Sequence, residues 1–181
     1  MLKETEALLN QFGLNVISEA RAKAPSTSGE LSSSLDYEIV ITKDELRVMF
    51  NSAPYGKFQD KGVQGKDPSK IKGGFQKAPM SPFKFGSGSG KGGLRGSIDK
   101  WVVRKGLDGV RDAKGRFIPR KSMVYLISRS IYFTGLRPTL FFTTPFEKER
   151  KRLYRGLEKA LMEDYENEIK IKIEGDNIIV K

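Results

Sequence analysis

Between residues 61 and 121 the chain gathers 16 Lys/Arg against 4 Asp/Glu, together with 13 of its 19 glycines. The whole chain of 181 residues carries a net charge of +11, this third alone carries +12, and the remainder sums to −1. So much charge and glycine in one run gives little apolar surface to bury. Its first half, through the GSGSGKGG run at residues 86–93, is expected to be an extended, mobile loop. In its second half Ile98, Trp101, Val102 and Leu107 predict a short helix ended by Gly106. The run DAKGR at 112–116 predicts a hairpin-type turn.

The flanks carry the periodic signals. Leu8, Phe12, Val16, Ala20 and Ala24 recur at i+4 steps, with Leu9 and Ile17 widening the stripe, so residues 3–24 read as an amphipathic helix. Glu4 and Glu6 early and Arg21 and Lys23 late suit the helix dipole, and Pro25 stops the helix. Leu35, Tyr37, Ile39 and Ile41, then Leu46, Val48 and Phe50, alternate about a four-residue connection. That pattern predicts a hairpin whose apolar face rests on the first helix. Tyr55 and Phe58, on a helical turn within 53–60, are placed to touch the core.

Past the basic stretch, Val124, Ile127, Ile131 and Tyr132 predict a helix over 122–134 closed by Gly135. Thr144-Pro145-Phe146-Glu147 predicts the start of another, with Thr144 as N-cap and Pro145 at the first helical position. Phe146, Leu153, Leu157, Leu161 and Tyr165 would form its inner face. Ile169, Ile171 and Ile173, a turn at Gly175-Asp-Asn177, and residues 178–180 predict a second hairpin. With no β–α–β alternation the expected class is α+β: a small antiparallel sheet packed by an N-terminal and a C-terminal helix, with a long basic glycine-rich insertion. The expected divisions are 1–60 and 122–181 for the two parts of the core and 61–121 for the insertion.

The absence of both Cys and His excludes a thiolate nucleophile, a disulfide, an imidazole base and an imidazole metal ligand. The glycine run fails as a phosphate-binding loop: Phe85 stands where its first glycine should, and Lys91 is followed by Gly instead of Ser or Thr. Glu168-Ile-Lys170 has the local form of a nuclease motif, but the converging acids that bound metals need are not evident. Nothing suggests a Ser–Lys pair. The chain is read as a non-enzyme without cofactor or metal. Its N-terminus carries acids and no apolar run, so no signal peptide is expected. No stretch approaches the ~18 apolar residues of a membrane span.

A strongly basic balance favours acidic partners. The candidate contacts are Lys66, Lys70, Lys72, Lys77, Lys84, Lys91, Arg95, Arg104, Lys105, Arg116, Arg120 and Lys121, interleaved with Phe75, Phe83, Phe85, Trp101 and Phe117. Such a mixture meets phosphate and also stacks or wedges. The competing reading is a solvated loop that orders only against a protein neighbour. No base-reading motif is present, so contact with nucleic acid would be independent of sequence and steep in salt.

Two passages resemble the tail-completion proteins, which join head to tail at the neck of long-tailed bacteriophages. Ala22-Lys-Ala-Pro25-Ser-Thr-Ser-Gly29-Glu-Leu31-Ser-Ser-Ser-Leu35 is similar to that family's A-x-x-P-x-x-T-G-x-L-x-x-S-I. A hairpin and then Pro54-Tyr55-Gly56-Lys57-Phe58-Gln59-Asp60-Lys61-Gly62 follow, near the family's Y-A-x-x-x-E-x-G-T, with Val63 where Thr is usual. The second passage, Leu126-Ile-Ser-Arg-Ser-Ile131-Tyr-Phe-Thr-Gly135-Leu-Arg-Pro138-Thr-Leu-Phe-Phe142 and then Pro145-Phe146-Glu147, resembles I-x-x-x-G-I-x-P-x-P-F-L-x-P-A-F. Together they cover about half of the chain, at both ends. The resemblance implies a structural virion protein, assembled in the bacterial host cytoplasm, in a six- or twelve-fold homo-oligomeric ring around the DNA passage. Portal or adaptor proteins and tail proteins would be its neighbours, with non-specific contact to phage DNA and none to a membrane. It transfers no catalytic residue. The alternative is a free-standing, sequence-independent nucleic-acid-binding protein.

Overall fold

The computed structural model describes residues 2–25, 29–42, 45–87, 93–168, 171–174 and 177–180. The chain opens with α1 (Lys3–Lys23), α2 (Glu30–Ser33), β1 (Asp36–Ile41) and β2 (Leu46–Asn51). Next come α3 (Gly56–Lys61), β3 (Val63–Gln64), α4 (Leu94–Arg104), α5 (Arg120–Thr134) and β4 (Gly135–Leu136). It closes with α6 (Thr143–Glu168), β5 (Ile171–Glu174) and β6 (Asn177–Val180). The fold is α+β and rich in helix, its strands joined as antiparallel pairs: β1 with β2, β3 with β4, and β5 with β6. Two compact units result: Met1–Pro54 with Phe141–Lys181, and Tyr55–Leu140.

In the first unit α1 packs along α6. The stripe of α1 is buried at Leu9, Phe12, Val16, Ile17 and Ala20, as its periodicity predicts. No side chain of its own caps its N-terminus. Asp164 of α6 does so instead, accepting from the Glu4 N–H at Oδ1 and the Thr5 N–H at Oδ2, both at 2.8 Å. Two of the amide donors that a helix start leaves open are thereby satisfied across the helix pair. Near the other end Glu149, 2% exposed, accepts from Asn15 Nδ2 at 3.1 Å and Arg152 Nη1 at 2.7 Å.

One apolar cluster joins Ile17, Ala20, Ala24, Leu31, Leu35 and Phe141. Beside it Phe50 of β2 meets Phe12, Phe142 and Phe146 edge-on, with ring centroids 5.3–5.9 Å apart. Such pairs add about 0.5–1.5 kcal/mol each to the area they bury. Tyr37 pairs with Phe50 across the hairpin, and its ring lies over Gly13, where a Cβ would collide with it.

The second unit departs most from expectation. Residues 62–85 do not run as an extended loop: Gly62, Val63, Gly65, Ala78 and Ser81 are buried. Polar side chains hold this stretch together in place of an apolar stripe. Gln76 exchanges two bonds with the Gly65 backbone, at 2.6 and 3.1 Å. Ser81 Oγ donates to the Gly62 carbonyl at 2.8 Å and accepts from the Phe83 N–H. The backbone of Gln64 then bonds to Phe83 and Phe85, setting Lys84 beside β3. A second apolar cluster, Val102, Met123 and Val124 with Ile98, Trp101, Leu107, Ile118 and Ile127 around it, joins α4 to α5.

The short helix before Gly106, the turn at 112–116 and the helix ending at Gly135 form as their sequences predict. Four details differ. The last long helix begins at Thr143, one residue before the expected cap Thr144. Tyr165 is 64% exposed, because the inner line of α6 passes through Ala160 and Asp164. Tyr55 and Phe58 stay largely exposed, Phe58 meeting Phe83 edge-on at 4.6 Å. The second unit spans 55–140, so it extends beyond 61–121 on both sides and includes α5. The glycine run at 88–92 and the turn at 175–176 lie outside the described residues.

Candidate functional site

The charge asymmetry becomes sharper in the folded chain. Residues 55–140 hold 19 Lys/Arg against 5 Asp/Glu, a net of +14, and contain no Glu. Three of their aspartates are engaged locally. Asp99 pairs with Arg120 at 3.0 Å, and Asp112 with Arg116 at 2.9 Å. Asp67 accepts from the Ser69 hydroxyl at 2.6 Å, which is the chief reason its carboxyl lies below the usual range. Asp112 is lowered mainly by the Arg116 N–H. Acids committed in this way leave most of the cations unneutralised.

Helix α5 gathers part of that charge. Its buried Met123 and Val124 face the apolar cluster. Away from that cluster, at steps of three and four, stand Lys121, Tyr125, Arg129 and Tyr132 around the buried Ser128, with Phe133 at the margin. Cations from three places lie over these rings. Arg95 of α4 sits 5.2 Å from the Tyr125 centroid, Lys66 5.9 Å from Tyr132, and Arg129 5.6 Å from Phe133. Phe85 also packs on Tyr132, at 5.9 Å.

The basic segment is bound to the end of α5 through its backbone as well. The Lys66 N–H donates to the Tyr132 carbonyl and the Lys77 N–H to that of Thr134, each at 2.9 Å, while Arg129 Nη2 donates to the Lys70 carbonyl at 3.1 Å. Carbonyls left open at the helix C-terminus thus find donors, and the bases suit the negative end of its dipole. Gly65 makes the approach possible, since a Cβ there would strike the Phe133 carbonyl oxygen.

Of the predicted contacts, Lys66, Lys70, Lys84, Arg95, Arg120 and Lys121 come to α5 or to the strands at its end. Arg104 and Lys105 end α4, and Arg116 stands in the turn with Asp112. Lys72 is exposed on a loop, Lys77 is half-buried, and Lys91 lies outside the described residues. Tyr125, Arg129 and Tyr132 escape a count of charge that stops at residue 121. Their signal is the aromatic–basic alternation at i, i+4 and i+8 in Tyr125, Arg129 and Phe133.

This arrangement concentrates positive charge beside aromatic rings along α5. Among the described residues no cluster of Asp and Glu fit to hold a metal is present, and no helix is long and apolar enough to cross a membrane. The Glu168–Lys170 motif falls where side chains lie outside the described residues. No family model matches the chain, and neither a curated protein nor a solved structure does so.

Proposed function

We propose that this chain is a structural protein of a tailed bacteriophage that joins a closed ring at the head–tail junction, completing or connecting the tail around the DNA passage. In this reading residues 1–60 and 122–181 form the core of the subunit, a small antiparallel sheet packed by an N-terminal and a C-terminal helix. Residues 61–121 are a basic insertion that meets DNA or an acidic neighbour. A heterologous interface that closes on itself suits such a ring.

One observation carries the reading: passages that resemble the family in two distant parts of the chain meet in space. β3 follows Gly62 of the first passage and pairs with β4, the Gly135–Leu136 of the second. The Thr139 and Leu140 N–H groups donate to the Gln59 and Asp60 carbonyls, both at 3.0 Å. A Cβ at Gly62 would stand 2.5 Å from the Leu136 carbonyl oxygen, so the glycine of one passage fits against the backbone of the other. Shared turn residues would be expected to converge if they build one common substructure.

Mass in solution, measured alone and after mixing with phage heads and tails, tests the proposal. A ring, or entry into particles, is expected; a monodisperse monomer that never enters particles counts against it. The concentration of charge in the second unit favours one further reading, a free-standing nucleic-acid-binding protein. That reading requires tight, salt-labile DNA binding by the monomer with no partner.

A further inference from the structure

Aromatic rings among basic side chains serve nucleic acid in two ways. A ring with a free face stacks a base of a single strand. A ring already covered by a guanidinium or ammonium orients that cation instead. Along α5 each ring has a cation over one face: Arg95 over Tyr125, Lys66 over Tyr132 and Arg129 over Phe133. Arg129 is fixed a second time by its bond to the Lys70 carbonyl. A guanidinium held in this way loses less rotamer freedom when it meets a phosphate.

The spacing points to a duplex. Lys121 and Arg129 are eight residues apart on one face, about 12 Å along the axis. That is about the width of the B-DNA major groove, so a helix laid across the groove would present charge to both flanking phosphate rows.

We infer that Lys66, Arg95, Lys121 and Arg129, with Tyr125 and Tyr132 as supports for the cations, form a docking face for the phosphate backbone of duplex DNA. The inference rests on the proposed reading that the basic segment meets DNA, extends it to Arg129 of α5, and names the residues and the strand form.

Binding of the full chain to a labelled duplex and to the matching single strand, followed between about 50 and 200 mM salt, tests it. The duplex should bind at least as well as the single strand, with log K falling against log salt by about 3.6 or more, 0.9 for each of four cations. The triple variant Lys66→Gln, Arg95→Gln, Arg129→Gln should flatten that slope by about 2.7. Tyr125→Leu should weaken duplex binding about 2–5-fold without changing the slope, because it removes one support and no charge. Trp101 fluorescence in urea, unchanged in the variants, shows that the unit is still folded.

A single-strand preference that Tyr125→Leu abolishes, by roughly 5–150-fold, would mean that the rings stack bases, and overturns the inference. Displacement of the duplex by polyglutamate at equal charge assigns the face to an acidic protein. A slope unaltered in the triple variant places the contact elsewhere while DNA binding itself stands. Absence of any binding at low salt removes both the inference and the DNA-facing reading.

Discussion

Replacing Gly135 by alanine tests whether the meeting of β3 with β4 holds the second unit together. Gly135 has φ 91° and ψ −179°, a region open in practice to glycine alone. A methyl group there would also collide with the Val63 carbonyl oxygen and lie 2.7 Å from the Gly65 nitrogen, and both obstacles are backbone. Dihedral strain of about 1–3 kcal/mol and overpacking of about 1–3 kcal/mol together make ~2–6 kcal/mol. At a slope of ~2 kcal/mol per molar urea, the midpoint of unfolding should fall by ~1–3 M. Trp101, the only tryptophan of the chain, packs against the apolar cluster of this unit, so its fluorescence follows this transition directly. Gly96→Ala is the control. That position lies within α4 with open space where a Cβ would stand, so alanine should stabilise it by about 0.5–1 kcal/mol. Equal midpoints for the two variants, or a rise with Gly135→Ala, would refute the reasoning.

Asp164 gives a prediction in pH. Burial by itself would raise its carboxyl, but the Glu4 and Thr5 N–H groups outweigh this and hold it below its ordinary 3.8. A lowered carboxyl contributes stability above the unfolded value and loses it as pH falls through the folded one. The advantage of the wild type over Asp164→Asn, read from helix content in urea, should therefore be steady near neutrality and shrink in acid; growth in acid would contradict the capping role. Phe141→Ala should destabilise the first unit by about 3–5 kcal/mol, since its ring is 1% exposed among Ile17, Ala20, Leu31 and Leu35; a change under about 1 kcal/mol by circular dichroism in urea would show that the cluster is not its core. DNA incubated with the protein and Mg²⁺ or Mn²⁺ should stay intact, whereas cleavage lost in Glu168→Gln would establish an enzyme.

What sequence made legible was local. The i+4 stripe of α1, the stop at Gly106 and the turn at Asp112 each depend on neighbours a few residues away, and each formed where expected. The folding of residues 62–85 was not legible, because Gln64, Gln76 and Ser81 bind backbone groups 11 to 19 residues distant. Polar cross-links of that kind leave no hydrophobic period to read. The same holds for α1, whose cap comes from Asp164, 160 positions beyond Glu4. At the candidate site, the basic composition marked the segment from 61 to 121. The part played by Tyr125, Arg129 and Tyr132 depends on segments that converge on α5, and counting charge along the chain cannot register it.

The most direct measurement is the number of copies of this chain in a completed phage particle, counted with a labelled chain in assembled particles and located by electron microscopy. The ring account predicts a small fixed number, six or twelve, confined to the junction of head and tail. Absence from the particle, or a variable number spread along the encapsidated DNA, would contradict it.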